Sequence, residues 1–267
     1  MPELPEMETY KTLLGSLIGE KKITGVAIGR EKSINVPVDR FTMEVSNQTI
    51  KSISRRAKYL IFQLQNGSCL LLHLMLGGWM FFGKDEDKPN RTIQVKLSFG
   101  DQHLFFIGLR LGYLHLSSPE KIKEEFKKIG PEPINPHFTV DAFQQLIQKR
   151  KGAIKAALIN QEVIAGIGNR YSDEILWHAE LRPDKKIADF DNQQLALLYN
   201  SIQFILQKGI NQGGYMENPL YKGDGKTGGY QFFVHDREGE ACLRCQTAIV
   251  KEKIFSRKTY FCPNCQH

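Results

Sequence analysis

Pro2 and Glu3 are the first residues with a chemical use, and they stand in the opening sequence MPELPEMET. Removal of Met1 would leave Pro2 with a secondary amine at the end of the chain. An α-amino group titrates near about pH 8, so part of it is unprotonated and nucleophilic at neutral pH. Attack of this amine on a sugar aldehyde carbon would give an iminium, with Glu3 beside it as acid and base. The alternative is structural, because glutamates also stabilise the first turn of a helix.

A second group of chemically useful residues lies at the other end of the chain. Four of the five cysteines follow the spacing C-x2-C-x16-C-x2-C, and they are Cys242, Cys245, Cys262 and Cys265. In a reducing compartment this spacing suits four thiolates around one tetrahedral zinc ion. Two disulfides are the alternative, and they would need an oxidising compartment. The fifth cysteine, Cys69, lies in the apolar run CLLLHL and is predicted to be a core residue.

Composition favours a partner with negative charge. The 267 residues include 36 Lys and Arg against 29 Asp and Glu, a net charge of +7. Residues 241–267 hold five basic side chains and one acidic one, which leaves +4. An excess of this size biases a protein towards polyanions such as nucleic acid. Because no export signal and no apolar run of about 20 residues is visible, we predict a cytoplasmic protein that does not enter a membrane.

The elements that must position these residues divide the chain into two parts. Residues 5–18 are predicted to form a helix, and residues 23–116 to form antiparallel strands joined by turns such as Asn66-Gly67. The segment GPEPINP, residues 130–136, contains three prolines and indicates a linker. Helices follow, and we predict them at residues 141–150, 153–160, 169–179 and 192–208. The Gly-rich segment YMENPLYKGDGKTGGYQ after them is predicted to be a mobile loop.

Six motifs occur in one order over the whole length of the chain. They are PELPEMET at the start, RRAKYL at 55–60, HLMLGG at 73–78, IGPEP at 129–133, GIGNRYSDEILW at 166–177, and the cysteine tail with FCPNCQ. Together they resemble the formamidopyrimidine-DNA glycosylase and endonuclease VIII family of bifunctional repair enzymes.

This resemblance implies an α+β multidomain fold. It consists of an N-terminal antiparallel β-sandwich and a C-terminal helix-two-turn-helix domain with a β-hairpin zinc finger. On this basis residues 1–130 are the catalytic domain, 131–136 the linker, 137–235 the DNA-binding domain with its lesion loop, and 236–267 the zinc finger.

The resemblance also implies roles for single residues in catalysis. Pro2 matches the nucleophile that attacks C1′ of a damaged nucleotide, and Glu3 matches the general acid and base. Lys58 matches a strand lysine that contacts phosphate at the lesion. In AKYLIFQL, Lys58 is predicted to point to the same face of the strand as the apolar residues, where a charge needs an anion or an open edge. The alternative is a lysine at the end of a strand without a function. Arg257 matches the finger arginine that grips the phosphates flanking the lesion, and we count it with the catalytic residues.

Further residues are expected at the DNA. Asn169 would begin a helix whose exposed N–H groups can bind a phosphate, and an ordinary helix start is the alternative. Lys155, in GAIKAAL, matches a lysine that family members place near DNA.

The chain departs from the family where the flipped-out nucleotide must be replaced. The positions that match the wedge residues Met, Arg and Phe are Leu76, Leu109 and Leu111, with Arg110 left to contact a phosphate. Leucines can wedge between bases but cannot read a base edge. We therefore expect poor discrimination for cytosine opposite the lesion.

These observations predict a monomeric DNA glycosylase and AP lyase with one structural zinc ion. It would act on oxidised bases or abasic sites in double-stranded DNA through a Pro2 Schiff base and successive β- and δ-eliminations. The alternative is a non-catalytic protein that binds damaged or abasic DNA. A zinc-ribbon transcription factor would leave the opening MPELPE unexplained.

Overall fold

A computed structural model describes all 267 residues of the protein. The chain forms two compact units, and each is built from two stretches of sequence. The first unit comprises Met1–Lys127 and Gln212–Gly229, and the second comprises Lys128–Asn211 and Tyr230–His267.

The first unit contains three helices and eight strands. The helices are α1 (Leu4–Ile18), α2 (Val38–Val45) and α3 (Pro119–Glu125). The strands are β1 (Gly25–Ile28), β2 (Ile50–Arg56), β3 (Tyr59–Leu64), β4 (Cys69–His73), β5 (Trp79–Gly83), β6 (Ile93–Phe99), β7 (Gln102–Ile107) and β8 (Tyr113–Ser117). Helix α1 and the strand-rich region agree with the sequence-based prediction, whereas α2 was not predicted.

The eight strands form two antiparallel sheets of four. One has the order β1-β6-β7-β5 and the other β2-β3-β4-β8, with every neighbouring pair antiparallel. Alternate residues of each strand point into one core, where leucines and phenylalanines are fully buried. Leu60, Phe62 and Leu64 show this alternation along β3. The predicted β-sandwich is confirmed.

Residues 212–229 contain no helix or strand, and they are attached to the sandwich. Leu220 is fully buried in the sandwich core, and its carbonyl accepts a 2.6 Å hydrogen bond from the Phe82 N–H of β5. Tyr221 forms a parallel bridge with Phe82. The sequence-based assignment of this segment to the helical domain is corrected, because Leu220 is an apolar anchor in the first unit.

The second unit is helical and ends in a hairpin. Its helices are α4 (Val140–Gln148), α5 (Ile154–Ile159), α6 (Asn169–His178) and α7 (Asn192–Asn211), and its strands are β9 (Val250–Ile254) and β10 (Arg257–Phe261). The four helices lie where the sequence predicted them. Side chains such as Phe143, Ile175 and Ile202 are fully buried among them.

Candidate active site

The amino-terminal residues are buried at the start of α1. Pro2 and Glu3 are both buried, and Glu3 is the residue directly before the helix. The Glu3 N–H donates to Oε2 of Glu6 at 2.7 Å. Glu6 lies three residues after Glu3 in the sequence. Its carboxylate therefore holds the backbone that carries the predicted nucleophile and proton carrier. Sequence reasoning missed this role, although the spacing Glu3-x-x-Glu6 is that of a helix capping box.

The second oxygen of Glu6 contacts the segment 212–229. Oε1 accepts a 3.0 Å hydrogen bond from the Tyr215 N–H. Gly214, with φ of +72°, approaches so closely that a Cβ there would lie 2.3 Å from Oε1. Only glycine satisfies both this backbone conformation and this contact. On the far side of Tyr215, its hydroxyl donates to the Met1 carbonyl oxygen at 2.6 Å.

Lys58 lies at the turn between β2 and β3, and its side chain is buried. The preceding residue, Ala57, has φ of +51°. Arg55 fixes this turn by donating to the Ala57 carbonyl at 3.0 Å and to Oε2 of Glu8, on α1, at 2.6 Å. Burial raises the pKa of Glu8, but hydrogen bonds and charges from Lys11 and Arg55 outweigh it and lower the pKa overall.

His73, at the end of β4, is held in the neutral form. Burial and the nearby charge of Lys58 lower the pKa of His73 to about 4. Its Nδ1 accepts a 3.2 Å hydrogen bond from the Met75 N–H, so the proton of the neutral ring is on Nε2. A neutral imidazole with a fixed N–H donor therefore accompanies Lys58. The sequence motif HLMLGG contained this residue, but sequence reasoning assigned it no role.

Two neighbouring loops each carry an exposed leucine. Leu76 and Leu111 are 64 % and 61 % exposed. The backbones of the two loops touch, because a Cβ on Gly108, which has φ of +71°, would lie 2.0 Å from the Gly77 carbonyl oxygen. Arg110, in the second of these loops, is exposed as well. Two neighbouring loops of the sandwich thus expose one apolar side chain each.

Leu109, unlike Leu76 and Leu111, is not exposed. Its side chain is fully buried in the sandwich core, its N–H donates to Oε1 of Gln94, and its carbonyl accepts from Arg30 and Ser33. The prediction that Leu109 contacts DNA is corrected: an apolar residue at this position turns inward, where it gains burial that a charged side chain could not.

In the second unit, Asn169 is the first residue of α6 and follows Gly168. Its Nδ2 donates to the Lys258 carbonyl at 2.7 Å, which ties the start of α6 to β10. Its Oδ1 is buried and has no hydrogen-bond partner. The first N–H groups of any α-helix have no partner within the helix, as the predicted anion site requires.

Lys155 is placed differently from the prediction. It is 1 % exposed, forms an ion pair with Asp173 of α6, and donates to Oγ1 of Thr259 at 2.8 Å. Oδ2 of Asp173 also bonds Nδ1 of His235 at 2.6 Å. Lys155 is therefore part of a buried polar cluster that joins α5, α6 and β10, and the expectation that it contacts DNA is corrected.

Arg257 begins β10 directly after the hairpin turn. The two turn residues, Phe255 and Ser256, have φ of +49° and +61°, the pattern of a type I′ turn. Arg257 and Phe255 are both exposed, Phe255 by 61 %. The hairpin thus presents a guanidinium and a phenyl ring to solvent at its tip.

The four cysteines of the tail form one cluster. Their sulfur atoms lie within 4.8 Å of one another, with 3.5 Å between Cys245 and Cys262 and 3.8 Å between Cys242 and Cys265. Four thiolates about 2.3 Å from a tetrahedral zinc ion stand about 3.8 Å apart, which this cluster matches. The Trp177 indole N–H donates to the Cys242 sulfur at 3.4 Å and orients it.

Comparisons with known proteins agree with both units. Residues 1–113 match the model of the formamidopyrimidine-DNA glycosylase N-terminal domain, and residues 129–218 match the model of its H2TH domain. The chain belongs to the formamidopyrimidine-DNA glycosylase family. Residues 239–267 match a zinc finger found in FPG and IleRS, so the cluster binds one structural zinc ion, as predicted.

Family members of similar length extend over the entire chain. The formamidopyrimidine-DNA glycosylase of Pelotomaculum thermopropionicum is 34 % identical over 273 residues, covering 100 % of this chain and 99 % of its own. That of Streptococcus pneumoniae is 35 % identical over 272 residues with the same coverage. The predicted enzyme class, a DNA glycosylase and AP lyase of base excision repair, is confirmed at the level of the family.

Solved structures of family members are also similar. A Lactococcus lactis enzyme in complex with DNA that contains an abasic site has a TM-score of 0.92 and 34 % identity, covering 99 % of both chains. A mutant of the enzyme from the same organism, bound to DNA that contains Fapy-dG, has a TM-score of 0.92 and 35 % identity, covering 100 % of both chains. No helix of this protein has the length and apolar character needed to cross a bilayer.

Proposed function

We propose that this family member excises oxidised bases from double-stranded DNA, or processes abasic sites, through a Pro2 Schiff base followed by β- and δ-elimination. The observation that carries this proposal is the buried amino terminus, where Glu6 holds the backbone of Glu3 and Lys58 stands at a fixed turn of the same unit. A protein that only binds DNA has no use for an amine beside a proton carrier.

The chemistry follows from these groups. The Pro2 nitrogen attacks C1′ and loses its proton to water, while Glu3 protonates the departing base or, at an abasic site, the departing oxygen. The resulting iminium makes the C2′ proton acidic. Glu3 as carboxylate removes it, and the phosphate on C3′ leaves. A second elimination expels the phosphate on C5′.

Electrostatics support this sequence of steps. Each elimination expels a phosphate anion, and the Lys58 ammonium supplies a positive charge in the same unit as Pro2. His73 adds an N–H donor without a second positive charge, because its pKa is about 4. Two adjacent cations would repel each other, and the neutral imidazole avoids this.

Duplex DNA is the partner we infer for the exposed groups. Leu76 and Leu111 would fill the space of the extruded nucleotide, and Arg110, Asn169 and Arg257 would bind phosphates. The relatives bound to abasic and Fapy-dG DNA support this assignment. We place the protein in the cytoplasm, where the zinc thiolates stay reduced, and infer that it acts as a monomer.

The proposal is tested on duplexes that carry an abasic site, 8-oxoguanine, a ring-opened purine or an oxidised pyrimidine. We expect strand cleavage at the abasic site that leaves phosphate on both ends of the gap, and cleavage at one or more of the damaged bases. Wild type whose amino terminus is confirmed as Pro2 is compared with Pro2→Gly. Tight, specific binding without cleavage by the wild type would favour the non-catalytic binder instead.

Arg257→Ala tests the finger assignment separately. Loss of a phosphate contact is expected to weaken binding to all duplexes alike and to reduce the dependence of affinity on salt. Arg40→Ala, on α2, is the matched control because it also removes an exposed arginine. Equal affinities of the two variants would contradict the assignment.

A further inference from the structure

The hydroxyl of Tyr215 lies at the end of the chain that carries the nucleophile. It donates to the Met1 carbonyl oxygen at 2.6 Å, although 214 positions separate the two residues. This contact is unexpected for a Gly-rich segment whose sequence, GGYMENP, offers no obvious catalytic group. Its location gives the Tyr215 hydroxyl a use in the chemistry at Pro2.

Met1 marks where the substrate carbon will be. In the full-length chain the Pro2 nitrogen is bonded to the Met1 carbonyl carbon, and the amide is planar. In the proposed reaction the same nitrogen is bonded to C1′, first in a tetrahedral adduct and then in a planar iminium. The Met1 carbonyl carbon therefore stands in for C1′, and the Met1 carbonyl oxygen stands in for an oxygen attached to C1′.

The oxygen on C1′ that persists in the adduct is the ring oxygen O4′. The base has left by then, or is absent, so the remaining substituents of C1′ are O4′, C2′ and a hydrogen. Of these only O4′ accepts a hydrogen bond. A donor that meets the Met1 carbonyl oxygen at 2.6 Å is thus placed to meet O4′.

The backbone of Tyr215 is held by contacts that do not involve Met1. Its N–H is held by Oε1 of Glu6 at 3.0 Å, and Gly214 packs against the same carboxylate. Further along the segment, Leu220 is buried in the sandwich core and Asp224 accepts from the Leu220 N–H at 2.8 Å. The backbone that carries Tyr215 is therefore anchored at both of these points when Met1 is removed.

We propose that Tyr215 is a catalytic residue that protonates O4′ when the deoxyribose ring opens; this rests on the proposed Pro2 chemistry. The C1′–O4′ bond breaks, and its electron pair goes to O4′, which takes the phenolic proton. The lone pair of the Pro2 nitrogen forms the N=C1′ double bond. The phenolate regains a proton from water, so Glu3 remains available for the C2′ proton.

The test measures iminium formation with Tyr215→Phe. Enzyme in excess is mixed with a duplex that contains an abasic site, and cyanoborohydride traps the iminium over time. We expect Tyr215→Phe to trap about 100-fold more slowly than wild type, the size of effect usual for a general acid. Its affinity for a duplex with a tetrahydrofuran abasic analogue is expected to be unchanged. Tyr221→Phe, in the same segment, is the matched control and is expected to trap at the wild-type rate.

A replacement that changes only acidity separates catalysis from packing. Fluorotyrosine at position 215 is a more acidic phenol than tyrosine, and trapping rates of the two proteins are compared at a pH below the pKa of either phenol. The fluorotyrosine protein is expected to trap the iminium faster than Tyr215→Phe, at a rate that depends on the pKa of the phenol. Wild-type trapping rates for Tyr215→Phe, or equal rates for all phenols, would overturn the proposal for Tyr215 alone. No trapping by wild type with a confirmed Pro2 amino terminus would instead overturn the proposed function, and this inference with it.

Discussion

Arg55 donates to Oε2 of Glu8 at 2.6 Å and thereby ties the turn that carries Lys58 to the helix that begins beside Pro2. The side chains are 5 % and 16 % exposed. This ion pair joins two parts of the first unit that the sequence separates by 47 positions.

Glu8→Gln is expected to destabilise the protein by about 1–3 kcal/mol, because a largely buried guanidinium loses its charged partner. The pKa of Glu8 is lowered in the folded state, so this stabilisation is present above the unfolded pKa and is lost as pH falls through the lower folded value. Denaturant unfolding at several pH values measures it. Glu44→Gln, which breaks the exposed Arg40 pair at 3.8 Å, is the control and is expected to cost less than about 0.5 kcal/mol. Equal effects of the two variants would contradict the role of Arg55.

His73 is expected to stay neutral at every pH at which the enzyme works. Its pKa is about 4 in the folded protein, below the usual value near 6.5. The unfolded chain therefore binds more protons than the folded protein between these values, and stability falls as pH drops from about 6.5 to 4. For one proton the slope is at most about 1.4 kcal/mol per pH unit. Titration of the His73 ring by NMR measures this pKa directly. A midpoint near the usual value would contradict the lowering of the pKa by burial and by the charge of Lys58.

The three leucines of the predicted wedge are expected to divide into two groups. Leu76→Ala and Leu111→Ala should leave the free energy of unfolding within about 0.5 kcal/mol of wild type, since both side chains are exposed, while weakening binding to abasic duplex. Leu109→Ala should cost about 2–5 kcal/mol of stability through the cavity it leaves. Thermal unfolding and duplex affinity, measured for all three, make the comparison. A stable Leu109→Ala protein with impaired DNA binding would restore the original prediction.

The buried cluster around Asp173 is expected to stabilise the second unit rather than bind DNA. Asp173→Asn leaves Lys155 as a buried cation without its charged partner, which usually costs about 3–5 kcal/mol. Lys127→Met, which breaks an exposed pair with Glu124, is the control and should have little effect. Unfolding measurements provide the test. If Asp173→Asn and the control unfold alike, the cluster has no stabilising role.

Sequence reasoning succeeded where function or fold is encoded locally. The zinc ligands Cys242 and Cys245 and their partners follow from spacing, and the strands of the sandwich follow from alternation along segments such as β3. The roles of Pro2 and Glu3 in catalysis, inferred from their adjacency, stay predictions.

It failed where position in a motif does not fix the direction of a side chain. Leu109 matches the wedge arginine that the resemblance implies, but its apolar side chain enters the core. Lys155 donates a hydrogen bond to Thr259, which is 104 positions away in the sequence. Tyr215 reaches Met1 across almost the whole chain, and no local signal predicts such a contact.

The proposed function requires the free amine of Pro2 to form the covalent bond to DNA. The most direct measurement is borohydride reduction of wild type on a duplex with an abasic site, followed by digestion and mass spectrometry of the linked peptide. We expect the sugar remnant to be attached to the peptide that begins at Pro2, and a form that retains Met1 to give no linked product. A linked product with Met1 retained, or a remnant attached to a lysine such as Lys58, would contradict it.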